Sequence, residues 1–126
     1  MGQSLYERIG GEAAVMAAVD VFYEKVLANE LTRPFFQTLD MEAQVRKQIA
    51  FMSWALGGPD AYKGRDLAAA HAHLVKGKGL GDAHFDAVAG CLEATLLELG
   101  LERALIDEVL GVVATTRSSV LGRREQ

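Results

Sequence analysis

The sequence predicts an all-α fold, and three observations indicate it. Apolar residues recur at intervals of three and four along most of the chain, which is the period of one helical face. Glycine pairs and capping residues separate these stretches. No stretch alternates apolar and polar residues as a half-buried strand does. With 126 residues, half of them hydrophobic, we expect one domain over 1–126, ordered over about 4–121 and frayed over 122–126.

Four helical stretches are predicted in the first half of the chain. Ser4-Leu5-Tyr6-Glu7 fits a capping box, in which serine and glutamate each accept from the other's backbone amide. The pair Gly10-Gly11 ends that short helix, and Asp40 is expected to cap the fourth. The second, third and fourth are predicted over Glu12–Leu27, over Leu31–Phe36 as a short helix or turn, and over Met41–Leu56.

Three further helices are predicted in the second half. Asp66 and Asp82 are expected to be the N-caps of the first two, because aspartate accepts from the free amides of a first turn. These helices are predicted over about Leu67–Gly77, Ala83–Leu99 and Glu102–Leu121.

Charge and composition exclude several classes of protein. The formal net charge is −4, without the basic face that nucleic-acid binding requires. No apolar run approaches the roughly 20 residues of a membrane span, and the N-terminal residues lack the pattern of a signal peptide. Cys91 is the only cysteine, so no disulfide forms within the chain. A cytoplasmic location is expected.

One histidine is predicted to face inward. Leu67, Leu74 and Val75 lie four residues before His71 and three and four after it, so they share its side of a helix. His73 points elsewhere, toward water. An inward histidine is either a buried imidazole bonded to a carbonyl or side chain, or a metal ligand. The spacing alone leaves both alternatives open.

Other catalytic patterns are weak. Cys91 lies in mid-helix beside Leu92, which is typical of a buried structural thiol. A zinc site made by protein ligands alone is not expected from one cysteine and three scattered histidines. The C-x-x-C-H signature of covalent haem attachment is absent. His84, in the first turn of its helix, is expected to be structural.

Polar residues interrupt the apolar stripes on two helices. Gln48 falls between Val45 and Met52, Gln44 lies one turn earlier, and Tyr23 lies within the stripe of the second helix. Each has an ordinary explanation, since a buried tyrosine can bond a carbonyl and a glutamine can lie at the edge of a stripe. Together they supply hydrogen-bond donors that could face one cavity, where a negatively charged ligand would be a suitable partner.

Three runs of the sequence resemble a known family. They are FYEKVLANELTRPFF at Phe22–Phe36, MEAQVRKQIAFMSWALGGP at Met41–Pro59, and AHAHLVKGKGLGDAHFDAV at Ala70–Val88. The order and spacing of the phenylalanine pair, the two glutamines, Gly-Gly-Pro and the histidine resemble truncated haemoglobins of group I. The resemblance extends from about Ser4 to Val120.

The resemblance implies an abbreviated globin fold, in which a 2-on-2 helical sandwich encloses a b-type haem. It implies that His71 is the proximal ligand of the iron, and that Tyr23, Gln44 and Gln48 line the distal side, where a gas binds. It further implies that six residues contact the haem: Phe35, Phe36, Lys47, Met52, Tyr62 and Leu67. The family's gas ligands are dioxygen, nitric oxide and carbon monoxide.

The resulting hypothesis is a protein that binds dioxygen reversibly and with high affinity. Hydrogen bonds from one tyrosine and two glutamines would slow its release, which suits oxygen chemistry or scavenging better than delivery. Conversion of nitric oxide to nitrate, or peroxidase-like turnover, would require a reductase for ferric iron, so enzyme activity stays open. The alternatives are a helical sensor or interaction module, haem-free or haem-linked, and a haem storage or redox-signalling protein.

Overall fold

The computed structural model describes residues 4–37, 40–58, 79, 81–117 and 121, and these residues form six α-helices and no strand. The predicted all-α class is therefore confirmed. Within the described ranges, no helix has both the length and the apolar character of a membrane span. The helices are α1 (Leu5–Ile9), α2 (Gly11–Ala28), α3 (Arg33–Phe36), α4 (Met41–Ala55), α5 (Asp82–Glu98) and α6 (Arg103–Ala114). The predicted helix that contains His71 lies outside the described residues.

The predicted starts of α1 and α4 are confirmed. The Glu7 amide donates to Ser4 Oγ at 3.2 Å, and the Ser4 amide donates to Glu7 Oε1 at 3.2 Å. Asp40 Oδ1 accepts from the amides of Glu42 and Ala43 at 3.1 and 3.4 Å. Each cap satisfies first-turn amides that have no partner inside the helix.

The predicted start of α5 is wrong by one residue. Gly81 is the N-cap and Asp82 is the first helical residue. The Asp82 carboxylate instead pairs with Arg117, whose Nη1 lies 3.0 Å from Asp82 Oδ1. The Gly81 amide donates to Nδ1 of His84 at 3.0 Å. The His84 side chain therefore satisfies the amide of the N-cap residue, and the N-cap itself has no side chain to bond the first-turn amides.

The last predicted helix is interrupted, because α6 ends at Ala114, a turn follows at Thr115 and Thr116, and Arg117 is helical again. Thr115 Oγ1 donates to the carbonyl of Val112 at 2.6 Å, and Thr116 Oγ1 donates to that of Val113 at 2.7 Å. Hydroxyls that bond to preceding carbonyls in this way compete with the helical hydrogen-bond ladder.

Helix α2 lies at the centre of the core. It packs against both α4 and α5, and α5 packs against α6. The whole predicted stripe of α2 is buried, namely Val15, Val19, Phe22, Tyr23 and Val26. Ile106 and Val109 of α6 are completely buried on the same core. Tyr23 therefore carries its hydroxyl into an apolar interior.

Helix α1 is fixed to the C-terminal end of α4. The Tyr6 amide donates to the carbonyl of Leu56 at 2.9 Å. A Cβ atom on Gly58 would lie 2.6 Å from the Tyr6 ring, so only glycine allows this approach. Gly57 has a φ of +86°, which side-chain-bearing residues rarely adopt. Gly57 and Gly58, which follow the end of α4, therefore provide the docking surface for α1.

Candidate functional site

The candidate site is centred on Tyr23. Only 4% of this residue is exposed. The Phe22 ring packs edge-on at 5.1 Å between centroids, and the Phe36 ring does so at 5.7 Å. The buried hydroxyl has no hydrogen-bond partner in the described part of the chain. Buried polar groups are nearly always satisfied, so this oxygen calls for a partner from outside the described residues.

The protonation state of Tyr23 makes it a donor. Burial raises the pKa of Tyr23 to about 12, and Gln44 opposes that rise. The amide of Gln44 thus lies near the hydroxyl, although the two groups do not form a hydrogen bond of normal length and angle. The hydroxyl keeps its proton at neutral pH. It can therefore donate to an acceptor that comes within hydrogen-bonding distance.

The second glutamine lies elsewhere. Gln48 lines an apolar cavity of about 20 Å³ between α2, α4, α5 and α6, together with Met52 and Phe22. A cavity of this size holds about one small molecule, and its apolar walls give water few partners. The remaining residues of its lining are Ile9, Val15, Ala18, Val19, Leu56, Leu92, Leu96 and Val109. Gln44 and Gln48 are one turn apart, yet the first lies near the Tyr23 hydroxyl and the second borders this cavity.

The short helix α3 carries two predicted site residues in different directions. Phe36 is half-buried against Tyr23, whereas Phe35 is buried against the His84 ring, with centroids 4.9 Å apart. Lys47 on α4 is exposed. Phe36 is thus the α3 residue in contact with Tyr23.

Thr32 positions α3, although no pattern in the sequence had singled it out. The residue is fully buried, and its Oγ1 donates to the carbonyl of Val26 at 2.6 Å. Asn29 Oδ1 accepts from the amides of Leu31 and Thr32 at 2.9 and 3.3 Å. The asparagine three residues before a threonine, just after a helix, was the available signal for this turn. The turn fixes where α3 leaves α2 and so places Phe36 against the tyrosine.

Three predicted contacts cannot be located, because His71, Tyr62 and Leu67 lie outside the described residues. Within the described ranges, no group of three or more histidine, cysteine or acidic side chains could hold a metal ion. Cys91 is buried, as predicted, and burial raises the pKa of its thiol against the influence of Lys25. Among the described residues, the Tyr23 hydroxyl is the buried side-chain polar group that lacks a partner.

Comparison with known proteins identifies the family. The bacterial-like globin family matches residues 4–121. A group 1 truncated haemoglobin of Tetrahymena pyriformis is 46% identical over 121 residues, which are 96% of this chain and 97% of that protein. A group 1 truncated haemoglobin of a Synechocystis species is 49% identical, over 86% of this chain and 88% of that one.

Solved structures agree. The crystal structure of a Synechococcus 2/2 haemoglobin, in the cyanomet state and with covalently attached haem, superposes with a TM-score of 0.91. It is 49% identical, and the match covers 96% of this chain and all of that one. This match confirms the predicted 2-on-2 fold.

Structures of the Tetrahymena pyriformis protein are also similar, with a TM-score of 0.86 and 44% identity for one of them. They include variants with one tyrosine changed to phenylalanine and with each of two glutamines changed to glutamate. Those three positions are spaced along that protein as Tyr23, Gln44 and Gln48 are spaced here. The chain belongs to the bacterial-like globin family, among the group 1 truncated haemoglobins, and this membership implies haem-based binding of a small ligand.

Proposed function

We propose that this chain holds haem b through His71 and binds dioxygen reversibly, with high affinity, on the side where Tyr23 lies. The observation that carries the proposal is the hydroxyl of Tyr23, which is buried, protonated and without a partner among the described residues. A ligand that gathers negative charge would complete the hydrogen bonding of this hydroxyl. Bound haem supplies an iron atom with one histidine ligand and one open position for a diatomic gas.

The three histidines support His71 as the proximal ligand. Nδ1 of His84 already accepts the amide of Gly81 at 3.0 Å. His73, two residues from His71, belongs to another side of the same predicted helix. Helix α4, which borders the distal side, contains no histidine. Of the three, only His71 falls on a predicted apolar helical face without a capping role of its own.

Tyr23 would determine how long the gas stays. A hydrogen bond to a charged acceptor contributes about 1.5–3 kcal/mol, more than a neutral one. Gln44 lies beside the hydroxyl and would orient it or add a second donor. Strong donors near the ligand favour slow release, so scavenging or oxygen chemistry fits the site better than delivery.

Nitric oxide is the second ligand that we propose, and its product would be nitrate. Nitrate contains the atoms of one nitric oxide and one dioxygen together with one extra electron. Sustained turnover therefore requires an external one-electron reductant, such as a reductase acting on ferric iron. The apolar cavity beside Gln48 and Met52 is large enough for one such small apolar molecule. A cytoplasmic location, where reductants are available, is consistent with the lone reduced Cys91.

The haem-free module is less well supported. An unsatisfied buried hydroxyl costs about 1–3 kcal/mol, and phenylalanine would give Tyr23's ring contacts without that cost. A module that needed only the helical core would have no use for the hydroxyl. Within a gas-binding pocket the same group has a function.

Haem titration tests the proposal. The wild-type protein should take up one haemin per chain and develop an intense absorption band at about 400 nm that moves with carbon monoxide. His71→Ala should lose most of its haem affinity, whereas the control His73→Ala should bind as the wild type does. Because the haem is proposed to be haem b, acid denaturation should release it from the polypeptide. Equal haem retention by both variants would exclude His71 as the ligand.

A further inference from the structure

His84 holds the start of α5 through a reciprocal pair of hydrogen bonds. The Gly81 amide donates to Nδ1 of His84 at 3.0 Å, and the His84 amide donates to the Gly81 carbonyl at 3.1 Å. An imidazole nitrogen accepts only while it carries no proton. The cap therefore requires neutral His84 with its proton on Nε2. A protonated ring would turn the acceptor into a second donor facing the Gly81 amide.

Two aromatic contacts connect this cap with the hydroxyl of the candidate site. The His84 ring packs edge-on against Phe35, with centroids 4.9 Å apart. Phe36, the next residue of α3, packs edge-on against Tyr23 at 5.7 Å. Only 5% of Phe35 is exposed, so it cannot move without disturbing its neighbours. Helix α3 has four residues and carries both rings on one rigid turn.

We propose that neutral His84 is a positioning residue for Tyr23, and that protonation of His84 weakens the hold of Tyr23 on its ligand. The inference deepens the proposed gas-binding function and rests on it. When Nδ1 of His84 carries a proton, the cap opens, the ring leaves Phe35, and α3 no longer presses Phe36 against Tyr23. Ligand release is then faster in acid than at neutral pH.

The two aspartates of α5 that flank His84 in the sequence both pair with one arginine. Asp82 and Asp86 on its own helix both bind Arg117, with contacts of 3.0 and 2.5 Å. Arg33 is the charged residue of α3. Both carboxylates face the guanidinium, and the first turn of a helix disfavours positive charge. A positive charge on His84 would therefore meet two carboxylates that already share the Arg117 guanidinium.

The test is the rate of dioxygen release from the haem-loaded protein between about pH 5.5 and 8, the range in which histidines change charge. The wild type should release dioxygen about threefold faster at about pH 5.5 than at pH 8, which is the effect expected from weakening one aromatic contact. This increase in rate is the acid step. His84→Gln should show no such step, because glutamine at this position accepts the same amide and does not titrate. His73→Gln is the matched control and should keep the step. A step that persists in His84→Gln, or a flat wild-type profile, overturns the proposal.

A second variant and a second readout keep the inference separate from the proposed function. Phe35→Leu leaves the cap intact but removes the ring contact, so it should abolish the acid acceleration of dioxygen release. If the protein takes up no haem, the proposed function fails, and the coupling between His84 and Tyr23 is tested on the haem-free protein. The NMR signals of the Tyr23 ring should then shift between about pH 8 and 5.5 in the wild type and not in Phe35→Leu. Signals that do not shift in the wild type contradict the coupling by themselves.

Discussion

Replacing Tyr23 by phenylalanine separates the function of the site from its stability. The change removes one oxygen and keeps the ring, whose contacts with Phe22 and Phe36 lie at 5.1 and 5.7 Å. In the wild type that oxygen is buried, keeps its proton and has no partner among the described residues. The variant should therefore hold its ligand less well and yet be more stable without it.

The loss of binding follows from a hydrogen bond to a charged acceptor. Such a bond contributes about 1.5–3 kcal/mol, and 1.4 kcal/mol corresponds to a factor of ten, so release should accelerate about 10- to 150-fold. Nearby Gln44 could take over part of the bond, which places the expected value toward the lower end.

The gain in stability follows from the unsatisfied oxygen. An unpartnered buried hydroxyl costs about 1–3 kcal/mol, and Phe fills nearly the same volume. We expect Tyr23→Phe to raise the free energy of unfolding of the gas-free protein by about 1 kcal/mol, since local relaxation recovers part of the cost.

Two measurements check both effects. Stopped-flow mixing of the oxygenated protein with carbon monoxide gives the release rate, and urea unfolding under argon at fixed haem concentration gives the stability. Tyr6→Phe is the matched control, and both of its values should stay close to the wild type. Unchanged release would remove Tyr23 from the ligand's surroundings. A destabilised Tyr23→Phe would show that the hydroxyl has a partner in the gas-free protein.

Two further predictions concern stability. Because the pKa of Tyr23 is raised to about 12 from the ordinary 10.0, the unfolded chain loses this proton first as the pH rises. The contribution of Tyr23 protonation to the free energy of unfolding is intact below about pH 10 and should then fall by about 1.4 kcal/mol per pH unit up to about pH 12. Urea unfolding should find this slope in the wild type and not in Tyr23→Phe. Gly58→Ala should destabilise by about 1–3 kcal/mol because its Cβ would lie 2.6 Å from the Tyr6 ring. Gly111→Ala, which meets nothing within 4 Å in the interior of α6, should instead stabilise by about 0.5–1 kcal/mol. Equal thermal shifts for the two glycine variants would contradict the packing of α1 on α4.

The elements of the fold were predictable where the signals are local. The caps at Ser4 and Asp40 lie within three residues of the amides that they satisfy, so a short stretch of sequence contains the whole interaction. The prediction for Asp82 failed because its partner, Arg117, is 35 residues away. The carboxylate pairs with that guanidinium, the helix begins one residue earlier at Asp82, and His84 satisfies the amide of the N-cap Gly81. An interaction across the fold had changed a local preference.

The burial of Tyr23 was predictable from the sequence, whereas its hydrogen bonding was not. Helical spacing put Tyr23 in the buried stripe of α2, and the structure confirms that burial. The same spacing treated Gln44 and Gln48 as equivalent, since both lie along one face of α4. Whether a buried hydroxyl has a partner depends on which side chains meet it in three dimensions. No periodicity in the sequence contains that information.

The two glutamines of α4 have different surroundings. Gln44 lies near a hydroxyl that can donate to a ligand, so it can adjust the direction or strength of that bond. Gln48 borders an apolar cavity with Met52 and lies one turn closer to the C-terminal end of α4. A polar amide at such a boundary gives up hydrogen bonding unless another polar group reaches it. Gln48 is half-buried, whereas the Tyr23 hydroxyl is buried and lacks a partner among the described residues, so the two polar groups differ in their cost. The hydroxyl lowers the stability of the ligand-free protein, and a ligand that accepted its hydrogen bond would recover that loss, so one group would link the stability of Tyr23→Phe to its release rate.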